Sequence, residues 1–280
     1  MPTIQANGIN IYHEIHGQGN PLVLIAGIGY DHWMWHKMAS GLAKHFQVVL
    51  FDNRGIGKTD KPPGPYTAEL LAADTAALLE ALGAVPAAVF GHSMGGFIAQ
   101  ALALNNPDVV DRLILSATNF GGPRHIPTTP QALAVLMDVT TDPVTRFKNG
   151  LVVSTAPGFA EKHPEIISAW LAYRAQNPIQ PESYQAQLAI GLGLYAEESC
   201  FEHRLKAIQA RTLILFGEHD NVVPPENAHL LAAQIANSQI HILPGAGHFF
   251  PLEAPAAANE VVIRFLQGNS ETSDSSATVV

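Results

Sequence analysis

Asn7-Gly8 separates two stretches in which apolar and polar positions alternate, Thr3-Ile4-Gln5-Ala6 and Ile9-Asn10-Ile11-Tyr12-His13. Asn-Gly suits the positive φ angles of a tight hairpin, so two antiparallel strands are expected at the start of the chain. The pattern then changes. Short apolar runs follow at residues 22–25, 48–51, 87–90, 113–115, 212–216 and 240–243. Strands buried on both faces of a parallel sheet read this way, as nearly unbroken apolar runs. Between them, residues 33–43, 67–82, 95–104, 226–235 and 256–266 carry helical patterns. In the second of these, Leu70, Leu71, Asp74, Leu78 and Leu82 recur at mostly three- and four-residue spacing. This alternation predicts an α/β fold with a doubly wound, mostly parallel sheet.

One interval breaks the rhythm. About 95 residues separate Ser116 from Arg211, where a crossover of a dozen or so would join two parallel strands. Pro164 and Pro181 are placed to start helices, and Ile166, Ile167, Trp170, Leu171 and Ala175 share one face of the first. The expectation is a core of residues 1–120 and 206–266 and a helical lid over 121–205. The alternative is a packing addition that never meets ligand. Residues 267–280 are polar with little periodicity and are expected to form a frayed tail.

Composition narrows the classes. Apolar residues make up 47 % of the chain and charged ones 14 %, against about 25 % charged in ordinary domains, which suits a large core with an apolar pocket or a partly apolar surface. The formal charge is −9, and no two of the 15 Lys and Arg residues are adjacent, so no phosphate-binding footprint for nucleic acid or anionic lipid is present. A lone cysteine, Cys200, excludes an intramolecular disulfide and a thiolate metal cluster and reads as a small core residue. No segment has the ~18 apolar residues of a bilayer span, and residues 1–4 lack a secretory pattern. A cytoplasmic protein without cofactor or metal is expected.

Gly91-His92-Ser93-Met94-Gly95 lies between an apolar run and a helical pattern. That is the strand–turn–helix setting of a nucleophile elbow, where a strained turn presents a serine hydroxyl above a sheet. Serine needs a base within hydrogen-bond reach, and imidazole has a suitable pKa. His248 is the candidate among 13 histidines, because Pro244-Gly245-Ala246-Gly247-His248 follows the last apolar run. This puts it at the carboxyl edge of the sheet, where such folds carry their sites. The base needs a carboxylate to fix its tautomer, and Asp220 closes the loop after 212–216. Glu218 is the rival; Asp220 is preferred because a residue or two beyond Gly217 is needed to reach the histidine. An oxyanion hole of two backbone N–H groups would use Met94 and, from Ala26-Gly27-Ile28-Gly29, Ile28. His92 is expected to be a packing neighbour.

These motifs together resemble the α/β-hydrolase superfamily, and within it the 3-oxoadipate enol-lactonase-like and cofactor-free haloperoxidase-like serine esterases, from about residue 4 to residue 266. The pieces are Ala26-Gly27 with Trp35, Asp52-Asn53-Arg54-Gly55-Ile56-Gly57, Gly91-His92-Ser93-Met94-Gly95-Gly96, Gly217-Glu218-His219-Asp220 and Gly247-His248. The resemblance implies triad roles for Ser93, Asp220 and His248 and a bracing role for Asp52 and Arg54. It departs from the pattern at Ala26, where many relatives have histidine, and at Thr59, where serine is frequent. The first change removes a side-chain hydrogen bond near the oxyanion loop.

A serine at the elbow excludes dehalogenase and epoxide-hydrolase chemistry, which needs a carboxylate nucleophile. The expected reaction is hydrolysis of a carboxylic ester or lactone. Amidase, thioesterase, perhydrolase and carbon–carbon hydrolase chemistry stay open, as does a receptor that keeps the triad. Leu188, Ile190, Leu192, Leu194 and Tyr195 suggest either a small-molecule substrate with an apolar acyl part or packing of the lid on the core. An acyl carboxylate would want a cation, and Arg124 and Arg174 are the candidates.

Overall fold

The Asn7-Gly8 turn folds β1 (Thr3–Ala6) back on β2 (Ile9–His16), pairing Ala6 with Ile9 and Thr3 with Tyr12. Both turn residues hold positive φ, 45° and 78°, as a two-residue hairpin requires. The computed structural model describes residues 2–138 and 140–268, so the expected tail lies outside the described residues from 269 onward.

Six more strands follow: β3 (Pro21–Ile25), β4 (Gln47–Phe51), β5 (Ala87–His92), β6 (Val110–Ser116), β7 (Arg211–Gly217) and β8 (Ser238–Leu243). They pair in the order β1-β2-β4-β3-β5-β6-β7-β8, parallel from β4 through β8. Alternation along β3 shows why its run is unbroken. Leu22 and Leu24 enter the layer containing Trp35, Met38 and Phe265. Val23 and Ile25 enter the opposite layer, with Leu71, Leu78 and Ile98. Water meets neither face.

Strand order also places the site. The chain leaves β3 toward β4 on one side and leaves β5 toward β6 on the other. The loops after β3 and β5 therefore diverge and open a crevice between them, the usual ligand position in such sheets.

Most helices match the expectation, among them Ala68–Ala81, capped by the Thr67 side chain, and Pro255–Leu266. Residues 33–43 do not form one helix. They form a 3-10 turn, His32–Trp35, and a short helix, Ala39–Leu42. The cause is local: the Trp33 carbonyl accepts from both the backbone N–H of His36 (3.1 Å) and its imidazole (2.8 Å). That i,i+3 closure competes with helix continuation. Asp74, on the otherwise apolar face of Ala68–Ala81, is buried against Arg54. The guanidinium donates to both carboxylate oxygens, at 2.7 and 2.6 Å, a bidentate geometry that anchors the loop after β4.

Between β6 and β7 the chain forms helices Pro130–Leu136, Pro143–Ser154, Phe159–Lys162, Pro164–Gln176 and Pro181–Gly193. Pro164 and Pro181 each open a helix. Ile167 and Trp170 turn inward, and Trp170 packs edge-on against Tyr30, Trp33 and Phe249. Cys200 is buried. Among the described residues, no helix is long and apolar enough to cross a membrane.

Candidate active site

Ser93 follows β5 directly, with φ 55° and ψ −119°. This backbone costs a non-glycine residue about 1–3 kcal/mol and persists only where the surroundings impose it. Here they do. The Ser93 N–H donates to the Ser116 carbonyl at 2.9 Å, tying the turn to β6. A side chain at Gly91 would collide with the Gly95 carbonyl, and one at Gly95 with the Ile25 carbonyl. Strand and helix meet only because both positions are glycine.

His248 and Asp220 come together at the same edge. The ring Nδ1 of His248 lies 2.8 Å from Asp220 Oδ2, and both residues are buried. Asp220 Oδ1 accepts from the N–H groups of Val222 and Val223, at 2.9 and 2.8 Å. The carboxylate is thus held on both oxygens. Glu218, the rival, is exposed and accepts from Gly245 N–H at 2.8 Å, which closes the turn before His248. Gly217 packs so closely on the Ala246 and Gly247 carbonyls that it admits no side chain.

Ser93 adjoins His92 in the chain, and His92 packs against this pair. The His92 ring lies 5.0 Å from that of His248, centroid to centroid. Among the described residues no hydrogen bond joins the Ser93 hydroxyl to His248, and such bonds often form only once substrate is present. The Nδ1 of His92 lies 2.9 Å from Ser116 Oγ. Burial, and then the nearby His248, holds its imidazole well below the ordinary value, so it stays neutral.

Gly27 approaches Ser93 so closely that a Cβ on it would lie 3.3 Å from the serine Cβ. The backbone N–H groups of Ile28 and Met94 engage no acceptor among the described residues. Asp52 accepts from the His32 ring (2.6 Å) and from the N–H groups of His32 (2.7 Å) and Lys58 (2.8 Å). Donor atoms of Asp31, His32 and Asp52 cluster within 4.8 Å. Their oxygens are taken by protein donors, including Trp33 N–H and the Tyr173 hydroxyl on Asp31, so the cluster acts as a hydrogen-bonded brace.

Several residues of the site carry no signal in the sequence. Glu253 accepts from Ala156 N–H at 2.6 Å and from Gly247 N–H at 3.1 Å, joining the His248 loop to the segment between β6 and β7. Burial pushes its carboxyl up to about 7. A raised folded value means that its contribution to stability is complete below the ordinary value near 4.5 and is lost as pH rises to about 7. In urea unfolding, Glu253→Gln should gain on the wild type by on the order of 2 kcal/mol between those pH values. A difference independent of pH would disprove this.

The alpha/beta hydrolase fold family matches residues 20–255. BpoC of Mycobacterium tuberculosis H37Rv, whose name is that of a non-heme bromoperoxidase, is 32 % identical over 265 residues, 92 % of this chain and 97 % of that protein. A thermophilic esterase from Thermogutta terrifontis superposes with a TM-score of 0.79 at 28 % identity, covering 95 % of this chain and 98 % of that one. An enol-lactonase from Burkholderia xenovorans LB400 superposes with a TM-score of 0.77 at 26 % identity, covering 95 % and 100 %. With its sheet order, its strained elbow and this match over most of its length, the chain belongs to the α/β-hydrolase fold family.

Proposed function

We propose that this hydrolase cleaves a carboxylic ester or lactone through an acyl-enzyme on Ser93. The carrying observation is the buried His248–Asp220 hydrogen bond on the sheet edge that also bears the strained serine. With Asp220 accepting the Nδ1 proton, His248 Nε2 is left as an acceptor. It takes the Ser93 proton as Oγ attacks the carbonyl carbon. The oxyanion accepts from the N–H groups of Met94 and Ile28, at the positive end of the elbow helix. His248 then gives its proton to the departing alkoxide. A water, deprotonated by the same nitrogen, attacks the acyl carbon, and His248 returns that proton to Ser93 Oγ as the ester bond breaks and the acid leaves.

An apolar acyl part is supported by what occupies the two arginines. Arg124 pairs with Glu202 at 2.8 Å. Arg174 donates to the carbonyls of Gly29 (2.9 Å) and Asn177 (3.0 Å). Arg124 is thus paired with a carboxylate, and Arg174 commits two of its donors to backbone carbonyls. The helical segment 121–205 fits the role of a lid, since its side chains cover the loop after β3.

The test is treatment of native protein with a fluorophosphonate, alongside turnover of p-nitrophenyl esters, γ- and δ-lactones and a carbon–carbon diketone. A covalent adduct mapped to Ser93 and turnover of esters or lactones are expected. Cleavage of the diketone alone would favour carbon–carbon hydrolysis, and absence of an adduct would favour a receptor.

A further inference from the structure

We infer that Gln187 and Arg174 are positioning residues that clamp the oxyanion loop from the helices between β6 and β7, an assignment that rests on the function proposed above. The loop after β3 is a turn in which the Gly27 carbonyl accepts from Tyr30 N–H at 3.2 Å. Ile28, the candidate donor, sits inside it. The next residue, Gly29, is held on both sides of its backbone. Its N–H donates to Gln187 Oε1 at 2.9 Å, and its carbonyl accepts from Arg174 Nη2 at 2.9 Å. At φ +74°, a Cβ on Gly29 would lie 3.1 Å from Ile179 and 3.3 Å from Tyr184, so the clamp closes directly on glycine.

Gln187 is itself fixed. It is completely buried, and its Nε2 donates to the Arg54 carbonyl at 3.2 Å. Arg54 is locked to Asp74. One residue earlier, the Ala186 carbonyl accepts from Tyr66 N–H at 3.2 Å, and a side chain on Gly64 would strike Ala186. This part of the helix is seated on the core. The Gln187 amide therefore connects two catalytic-edge loops, the one after β3 and the one after β4. Ala26 has no polar side chain to steady the first loop from within; its carbonyl accepts from Asn53 Nδ2, at 3.2 Å. The steadying bonds come from the far side.

A fully buried glutamine with both ends bonded to backbone could serve packing alone. Geometry argues for more, because its acceptor fixes the peptide adjoining a donor that must meet developing charge. Loss of an oxyanion donor costs about 10²–10³-fold in kcat, and a displacement near 1 Å about 10²-fold. Gln187→Leu should therefore lower kcat for a p-nitrophenyl ester by ~10–100-fold. KM should change little, because the oxyanion forms only in the transition state.

The experiment compares wild type, Gln187→Leu, Arg174→Met and Arg174→Lys. Rates are divided by the concentration of sites titrated with fluorophosphonate, so that misfolded protein does not count. Affinity for an alkyl boronic acid, which forms a tetrahedral adduct on the serine, is measured beside them. The expected result is a parallel fall in kcat and boronate affinity for Gln187→Leu and Arg174→Met, with partial recovery in Arg174→Lys, which keeps a donor for the Gly29 carbonyl. Should Gln187→Leu fail to fold, the half-buried Arg174 pair decides. Titrated rates and boronate affinities within two-fold of wild type in the folded variants overturn the clamp while leaving the functional reading intact. A wild type that takes no label and turns over no ester overturns both.

Discussion

Ser93→Ala is expected to lower kcat for a short p-nitrophenyl ester by about 10⁶-fold, the loss typical when a triad nucleophile is removed. The alanine has nothing to donate to His248 and cannot form the acyl bond. What persists is the donor pair and the cleft, which together can sustain some residual acceleration over water. Thermal stability should hardly move. The 55° φ at this position is imposed by the Ser93–Ser116 backbone bond and the flanking glycines, and alanine inherits the same strain. Calorimetry or circular dichroism distinguishes this chemical loss from unfolding. Turnover within ten-fold of wild type in a folded, homogeneous alanine variant would remove Ser93 from the mechanism.

Legibility in the sequence followed burial. Strands enclosed on both faces gave unbroken apolar runs, so β3, β4 and β7 could be read nearly to their ends. Edge strand β8 starts two residues before its run, at Ser238 and Gln239, because water reaches one side of it. β5 runs on to His92, which pairs in register with Ser116 although neither is apolar. The helix expected over 33–43 failed because a histidine side chain captured a backbone carbonyl, an event no periodicity reports.

The candidate site divides in the same way. Ser93, Asp220 and His248 stand in loops directly after strands, and glycines mark the close approaches there. Gln187, Arg174 and Glu253 lie within helices, where a polar residue ordinarily faces water. Only the fold brings residue 187 against residue 29, or residue 253 against residue 156. Arg174 illustrates the limit from the other side. Its charge suggested a substrate carboxylate, whereas two of its nitrogens, Nη1 and Nη2, donate to the backbone carbonyls of Asn177 and Gly29.

The Asp220→Asn variant should lose about 10⁴-fold in kcat at neutral pH, by inversion of the histidine tautomer. An asparagine here has one oxygen and one NH₂ to place. The site of Oδ1 faces two N–H groups, from Val222 and Val223. An NH₂ there would oppose both, so the amide oxygen takes that position and the NH₂ turns toward His248 Nδ1. That nitrogen must then accept, which puts the ring proton on Nε2. A protonated Nε2 cannot receive the Ser93 proton. Because the two N–H bonds survive and the shape is unchanged, the fold should persist and KM should change far less than kcat. Nitrogen NMR of the His248 ring reads the tautomer directly: Nδ1–H in wild type and Nε2–H in the variant. Full activity with the proton still on Nδ1 would show that Asp220 does not orient the base, and Glu253, whose carboxylate also approaches the His248 loop through Gly247, would become the residue to test.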